Sequence, residues 1–301
     1  MRKGSIIPPT FFLITLALSL VLPKDAPRAF THGAAISAPA QAVAYGATSL
    51  FIYDDFTSSS TTDTTNSFVP GFNWYNFNAS ISTWMGSPYS QPAAVYNTDY
   101  TISGSNFTII NANSGHTAGG EFGSGYFDSG SQTLKNTLPL VPGNKPFYCE
   151  ANISYGSASG GIMWLQDQSS LLRSILNTGN NTLLAELDVG EGKNQSNAHG
   201  WTGPSTDPTG YSNNIASPPA NGTMNKWGVL GVPRAYNSGT GIYVYYLNGS
   251  IVSAGGSWTT GSLGTGEDIG LENSNLQVMF SQTGSGSPNR IYDYIACWVH
   301  P

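Results

Sequence analysis

The sequence predicts an all-β fold, an antiparallel β-sandwich or barrel, and three observations carry that expectation. Short runs rich in Tyr, Phe, Ile and Val recur along the chain, bounded by Gly, Asn, Ser and Pro. No stretch holds a long apolar stripe of 3.6-residue period, so almost nothing reads as helix. Strands and helices do not alternate, which excludes a parallel α/β sheet.

Each element follows from the same signals. The strands are expected at residues 107–110, 147–155, 161–165, 183–189, 241–247, 276–282 and 290–299. Asn248-Gly249, set between Tyr246 and Ile251, predicts a tight hairpin turn. Two polar stretches, 57–66 and 194–221, read as loops within one domain. The second is long enough to expect that it rims a binding site.

The first residues read as an export signal. Arg2 and Lys3 precede a short apolar core at 11–22, and Ala40-Gln41-Ala42 offers a small-residue cleavage site. Residues 1–42 are therefore expected to be the export segment and 43–301 the working domain of a secreted monomer. An uncleaved N-terminal anchor is the alternative. The apolar core is shorter than the ~20 residues that cross a bilayer. Cys149 and Cys297 are an even pair, which in an exported chain invites a disulfide; two buried thiols are the other reading.

Charged residues make up 9% of the 301, against about 25% in an ordinary soluble domain. Eleven Lys and Arg and a net charge of -6 exclude nucleic acid as a partner. Such a surface suits neutral, hydroxyl-rich ligands. Aromatic rings fit the same ligands, because flat indole faces stack on sugar rings. Trp74, Tyr75, Phe77 and Trp84 cluster early, with Trp164, Trp201, Trp227 and Trp258 later, and about half are expected to be core. Trp74 and Trp201 are taken as sugar contacts. The four histidines, His32, His116, His199 and His300, are scattered and no C-x-x-C pair is present, which rules out a zinc site. His199 lies eight residues beyond the acidic strand described next. It is positioned either to bond a sugar hydroxyl or an acid, or to sit solvated in a loop.

Chemistry is concentrated at Glu186-Leu187-Asp188-Val189-Gly190-Glu191. Side chains at i and i+2 of a strand share a face, so Glu186 and Asp188 point together. Glu191 has the opposite parity. A β-bulge at Gly190 would turn it back, leaving Leu187 and Val189 toward the core. Three converging carboxyls repel, and the repulsion holds at least one protonated near neutral pH. Glycoside hydrolysis needs that division of labour, one ionised nucleophile and one protonated acid. Calcium binding is the other known use of an acidic strand.

The same run resembles the active-site strand of glycoside hydrolase family 16, the laminarinase, lichenase and agarase family. Other stretches are similar to family segments: Tyr53-Asp54-Asp55-Phe56, Gly161-Ile162-Met163-Trp164-Leu165, Trp227-Gly228-Val229 with Tyr243 to Gly249, and Tyr292 to Trp298. The likeness runs over roughly residues 50–300. It implies a concanavalin-like jelly roll with a concave substrate cleft. It further implies Glu186 as nucleophile, Glu191 as acid/base, Asp188 assisting between them, and Trp164 stacking on substrate. Two departures bear on the substrate: the family's W-P-A-F-W run is reduced to Trp164, and Gly190 replaces a bulky apolar residue.

The expected activity is retaining, endo-acting hydrolysis of a β-linked polysaccharide without a cofactor, structural calcium being the one ion in view. A non-catalytic, lectin-like module on the same fold is the alternative, and a transglycosylase is a variant of the first reading. A purely structural surface protein leaves the three acids unexplained.

Overall fold

A computed structural model describes residues 36–89, 93–110, 118–155, 161–191, 195–203, 206, 209–215, 218–259, 268–283 and 289–301. Two antiparallel sheets lie face to face, forming a β-sandwich of the jelly-roll kind. The outer sheet runs in the order Ser250–Trp258, Gly241–Leu247, Met224–Val232, Phe147–Ser154, Arg290–Val299, Asn106–Ile109 and Tyr100–Ser103, with Ser49–Asp54 also paired to Arg290–Val299. The second, or cleft, sheet runs Thr209–Asn214, Gln195–Trp201, Leu184–Glu191, Gly161–Asp167, Asn275–Thr283, Ala118–Gly123 and Tyr75–Asn76. Val141–Pro142 adds to Asn275–Thr283.

Period-two alternation builds the core. Phe147, Cys149 and Ile153 point inward from the outer sheet, and Leu165, Leu187, Val189, Val278 and Phe280 meet them from the cleft sheet. Two tyrosines tie the layers through polar atoms. Tyr245 Oη donates to the Asn197 carbonyl, and Tyr292 Oη donates to Ser281 O at 2.9 Å. Both hydroxyls thus anchor the backbone of the cleft sheet from behind.

The outer sheet buries a second apolar surface on its far face. Tyr148, Leu230, Val244, Tyr246 and Trp298 are covered there by residues 36–47, with Ala42 and Ala47 fully buried. The boundary read at residue 42 falls within this packed stretch, in the short helix Ala40–Val43. The basic residues and apolar core of the export reading, and His32 and His116, lie outside the described residues.

Three expectations need correction. Residues 194–221 are not one loop, because Gln195–Trp201 and Thr209–Asn214 are strands of the cleft sheet. In Gln195–Trp201 the polar Asn197, His199 and Trp201 lie on the face that meets the acidic strand's cleft side. A helix, Gln168–Leu176, was also unexpected. Asp167 caps it by accepting from the Ser169 and Ser170 N–H groups, Leu171 and Ile175 bury its apolar side, and Asn177 ends it in left-handed backbone. Nine residues are too few for a visible period. The third correction is Trp74, which is 0% exposed, packs edge-on to Phe280 and donates its indole N–H to Asp54 at 2.9 Å. It is core and cannot touch a sugar.

Cys149 and Cys297 are register partners on adjacent strands, and their sulfurs are bonded inside the core. The bond closes a span of 148 residues, and loops of that kind contribute most through the unfolded state. Replacing both by Ala should lower unfolding free energy by about 2–4 kcal/mol without changing the native circular dichroism. Chemical denaturation checks this, and a midpoint equal to that of the parent protein would show that the bridge contributes nothing.

Candidate active site

Leu184–Glu191 lies third from the edge of the cleft sheet, between Gln195–Trp201 and Gly161–Asp167. Leu187 and Val189 are fully buried in the core, so Glu186 and Asp188 take the opposite, cleft face. Gly190 then breaks the alternation. Its φ of +68° is left-handed backbone, and a Cβ placed there would come within 2.5 Å of Ile162 Cδ1 and 3.3 Å of Trp227 Cε3, both core side chains. Val189 and Gly190 thus face inward in succession and Glu191 emerges beside Asp188, but the expected bulge is absent: the register with Gly161–Asp167 runs unshifted to Glu191, so the left-handed turn of Gly190 alone breaks the alternation. Only glycine satisfies both the backbone and the space. Gly190 is held from the next strand by Ser196 Oγ, which accepts from its N–H at 3.2 Å.

The three acids open on a cavity of about 300 Å³. Trp164 stands opposite Asp188 in the register and forms its floor with Met279. Phe77, Trp84 and Tyr89 form a wall, backed by Leu171 and Ile175 of the Gln168–Leu176 helix. A hydrogen bond of 2.7 Å from Met85 N–H to Ser174 O pins the Trp84 segment to that helix. The sequence-predicted Glu186, Asp188, Glu191 and Trp164 are therefore brought together. His199 and Trp201 lie on the adjacent strand, on the same face; Trp74 does not join them.

That adjacent strand supplies polar partners. His199 Nε2 is 3.3 Å from Asp188 Oδ2. Asn197 donates its side-chain N–H to Glu191, and Trp201 donates its indole N–H to Glu186. The His199 and Trp201 rings stack at 5.5 Å between centroids. Burial, then the charge of Asp188, pushes the Glu186 carboxyl well above the ordinary range, while His199 and the Trp201 hydrogen bond pull it back. Glu191 is also raised by burial and by Asp188, with His199 opposing. Both shifts favour the protonated form, as in carboxyls that share a site.

Sequence reading missed a fourth acid. Glu121, on Ala118–Gly123, lines the same cavity and bonds Asn78, and burial raises its pKa to about 7. Its one visible signal was the presence of a rare Glu in a Gly-rich strand. Asn197 was missed with it, because residues 194–221 read as loop. Asp188, Glu191 and His199 also present oxygen and nitrogen atoms within 4.8 Å of one another. Two acids and an imidazole can serve proton transfer as well as metal binding.

No protein-family model and no curated protein matches this sequence. Solved structures do. An endo-β-galactosidase from Clostridium perfringens that releases GlcNAcα1-4Gal aligns over 83% of this chain at 12% identity and a TM-score of 0.50, and the match spans 61% of its own length, under two thirds. Laminarinase from Flavobacterium sp. UMI-01 aligns over 83% of this chain and 99% of its own at 10% identity and TM-score 0.46. A β-porphyranase from Bacteroides plebeius gives 82%, 89%, 10% and 0.46 in the same terms. At 12% identity the first of these shows a shared fold and nothing finer. The chain is a β-sandwich with a jelly roll like that of glycoside hydrolase family 16, as its acidic run implied.

The raised Glu121 makes a prediction about stability. Between pH 4.5 and about 7 the folded protein holds a proton that the unfolded chain has released. Its contribution is therefore full below pH 4.5 and is lost as pH rises through 7. Glu121→Gln should narrow the gap in melting temperature between pH 5 and pH 8 and melt above the parent at pH 8. An unchanged gap in a calorimetric series would contradict the burial of this acid.

Proposed function

We propose that this protein is a secreted, endo-acting glycoside hydrolase that cleaves a β-linked polysaccharide with retention of configuration. The observation carrying the proposal is the strand whose left-handed Gly190 sets Glu186, Asp188 and Glu191 on one face of an aromatic-walled cavity. The glycosidase and porphyranase names borne by structures of this fold agree with it.

The chemistry follows from the order of the acids. Glu186, as carboxylate, attacks the anomeric carbon and forms a glycosyl ester while the glycosidic C–O bond breaks. Glu191, the more exposed of the two glutamates, gives its proton to the departing oxygen. A water then enters, Glu191 takes its proton, and the resulting oxygen displaces Glu186 from the sugar. Asp188, paired with His199, sits between them and stabilises the proton in each position. Trp164 stacks on a sugar ring, and Glu121 with Asn78 accepts from sugar hydroxyls further along the cavity. No step needs a metal or cofactor, and one copy of the chain contains every group named.

The test is reducing-sugar release from a panel of β-glucans, xyloglucan, agar and carrageenan. One polymer should be cut, and Glu186→Gln should lower turnover by at least about 10⁴-fold with the fold intact. Glu191→Gln should spare activated aryl glycosides far more than polymer, since a good leaving group needs little acid help. Binding to a polymer without release from any would move the function to a lectin-like module, and near-parental activity in Glu186→Gln would remove the nucleophile assignment.

A further inference from the structure

Gln195–Trp201 meets the acidic strand in a regular diagonal. Trp201 lies opposite Leu184 and bonds Glu186, two residues on. His199 lies opposite Glu186 and contacts Asp188. Asn197 lies opposite Asp188 and bonds Glu191 beyond it. Diagonal cross-strand neighbours are within reach of long side chains, and here each acid receives one partner. The three partners differ in kind. An indole N–H donates only, an imidazole can gain or lose a proton, and an amide donates without titrating.

We propose that Trp201 is a positioning residue for the nucleophile: its indole N–H holds one oxygen of Glu186 and leaves the other directed at the sugar, instead of stacking on substrate. This rests on the glycosidase reading above. Three observations carry it. The donor end of the indole is engaged with Glu186, so the ring is oriented by the acid. One ring face is stacked on His199, with the two planes within 30°. The cavity walls that can take a sugar face come from Trp164, Trp84 and Tyr89, on the other side of the acidic strand. A donor that cannot be deprotonated in the working range favours the charged form of its partner, which is the form a nucleophile requires. Burial raises the Glu186 carboxyl, and the Trp201 hydrogen bond acts against that rise.

Carbon-13 titration of glutamate-labelled protein reads this without needing turnover. In Trp201→Phe, which keeps a flat ring against His199 but lacks the N–H, the Glu186 midpoint should rise by about one pH unit. Trp201→His, whose ring N–H has a similar reach, should recover most of that shift. In kinetics, Trp201→Phe should lower kcat by about 10- to 100-fold with KM within twofold, and move the acid limb of the pH profile upward. Oligosaccharide affinity measured in a Glu186→Gln background should be the same with Trp or Phe at 201. An unmoved Glu186 midpoint overturns the inference whether or not the parent turns over. Loss of affinity in the Glu186→Gln background would also overturn it, returning Trp201 to sugar stacking. Absence of turnover by the parent, with the midpoint shifted, would instead remove the glycosidase reading and leave the Trp201–Glu186 coupling standing.

Discussion

A β-strand turns successive side chains to opposite faces, and acids at 186, 188 and 191 do not share that parity. Everything at the cleft depends on the residue that repairs the mismatch. Gly190 takes left-handed backbone and presents hydrogen where any Cβ would strike Ile162. The core side of the strand stays packed by Leu187 and Val189, and Glu191 is delivered to the cleft. A larger residue there would have to give up either the core contact or the third acid. Family 16 enzymes, which this run resembles, place a bulky apolar residue at that position.

Bringing three carboxyls together in a partly buried cavity opposes folding, and the molecule offsets the cost locally. A neighbouring strand supplies one polar partner to each acid, and that strand is tied through the core by Tyr245 to the outer sheet. The partners are therefore held by rigid backbone on both sides, which is what a preorganised site requires. The helix Gln168–Leu176 does the same for the cavity wall, carrying Trp84 and Tyr89 on an apolar cluster of its own. Stability and chemistry thus draw on the same residues. Loosening the outer sheet behind Asn197 would disturb the proton arrangement at Glu191 several residues away.

Most of the sandwich could be read from the chain because inward-facing residues are large and apolar at every second position. The strands at 241–247 and 290–299 and the Asn248-Gly249 turn appear where composition put them. Strands facing the cleft were harder. Gln195–Trp201 is polar on the side that meets the acids, and only Ala198 on its other face enters the core. Its hydrophobic alternation is too thin to distinguish from a loop, so Asn197 went unseen. Glu186, Asp188 and Glu191 were legible because acids are rare in this chain and their spacing has one geometric solution. Glu121 shares their cavity but lies 65 positions away, and sequence distance hid what the fold joins. Trp74 failed in the opposite sense, since an aromatic suited to a sugar is equally suited to a core.

The central claim is that Glu186 and Glu191 work by double displacement, and the anomeric form of the first product tests it most directly. Proton NMR of a β-linked substrate in the first minutes of cleavage distinguishes the two forms before mutarotation mixes them. The β-anomer should accumulate first, with the α-anomer rising later at the spontaneous rate. Initial release of the α-anomer would mean a single displacement by water, and would contradict the covalent role given to Glu186.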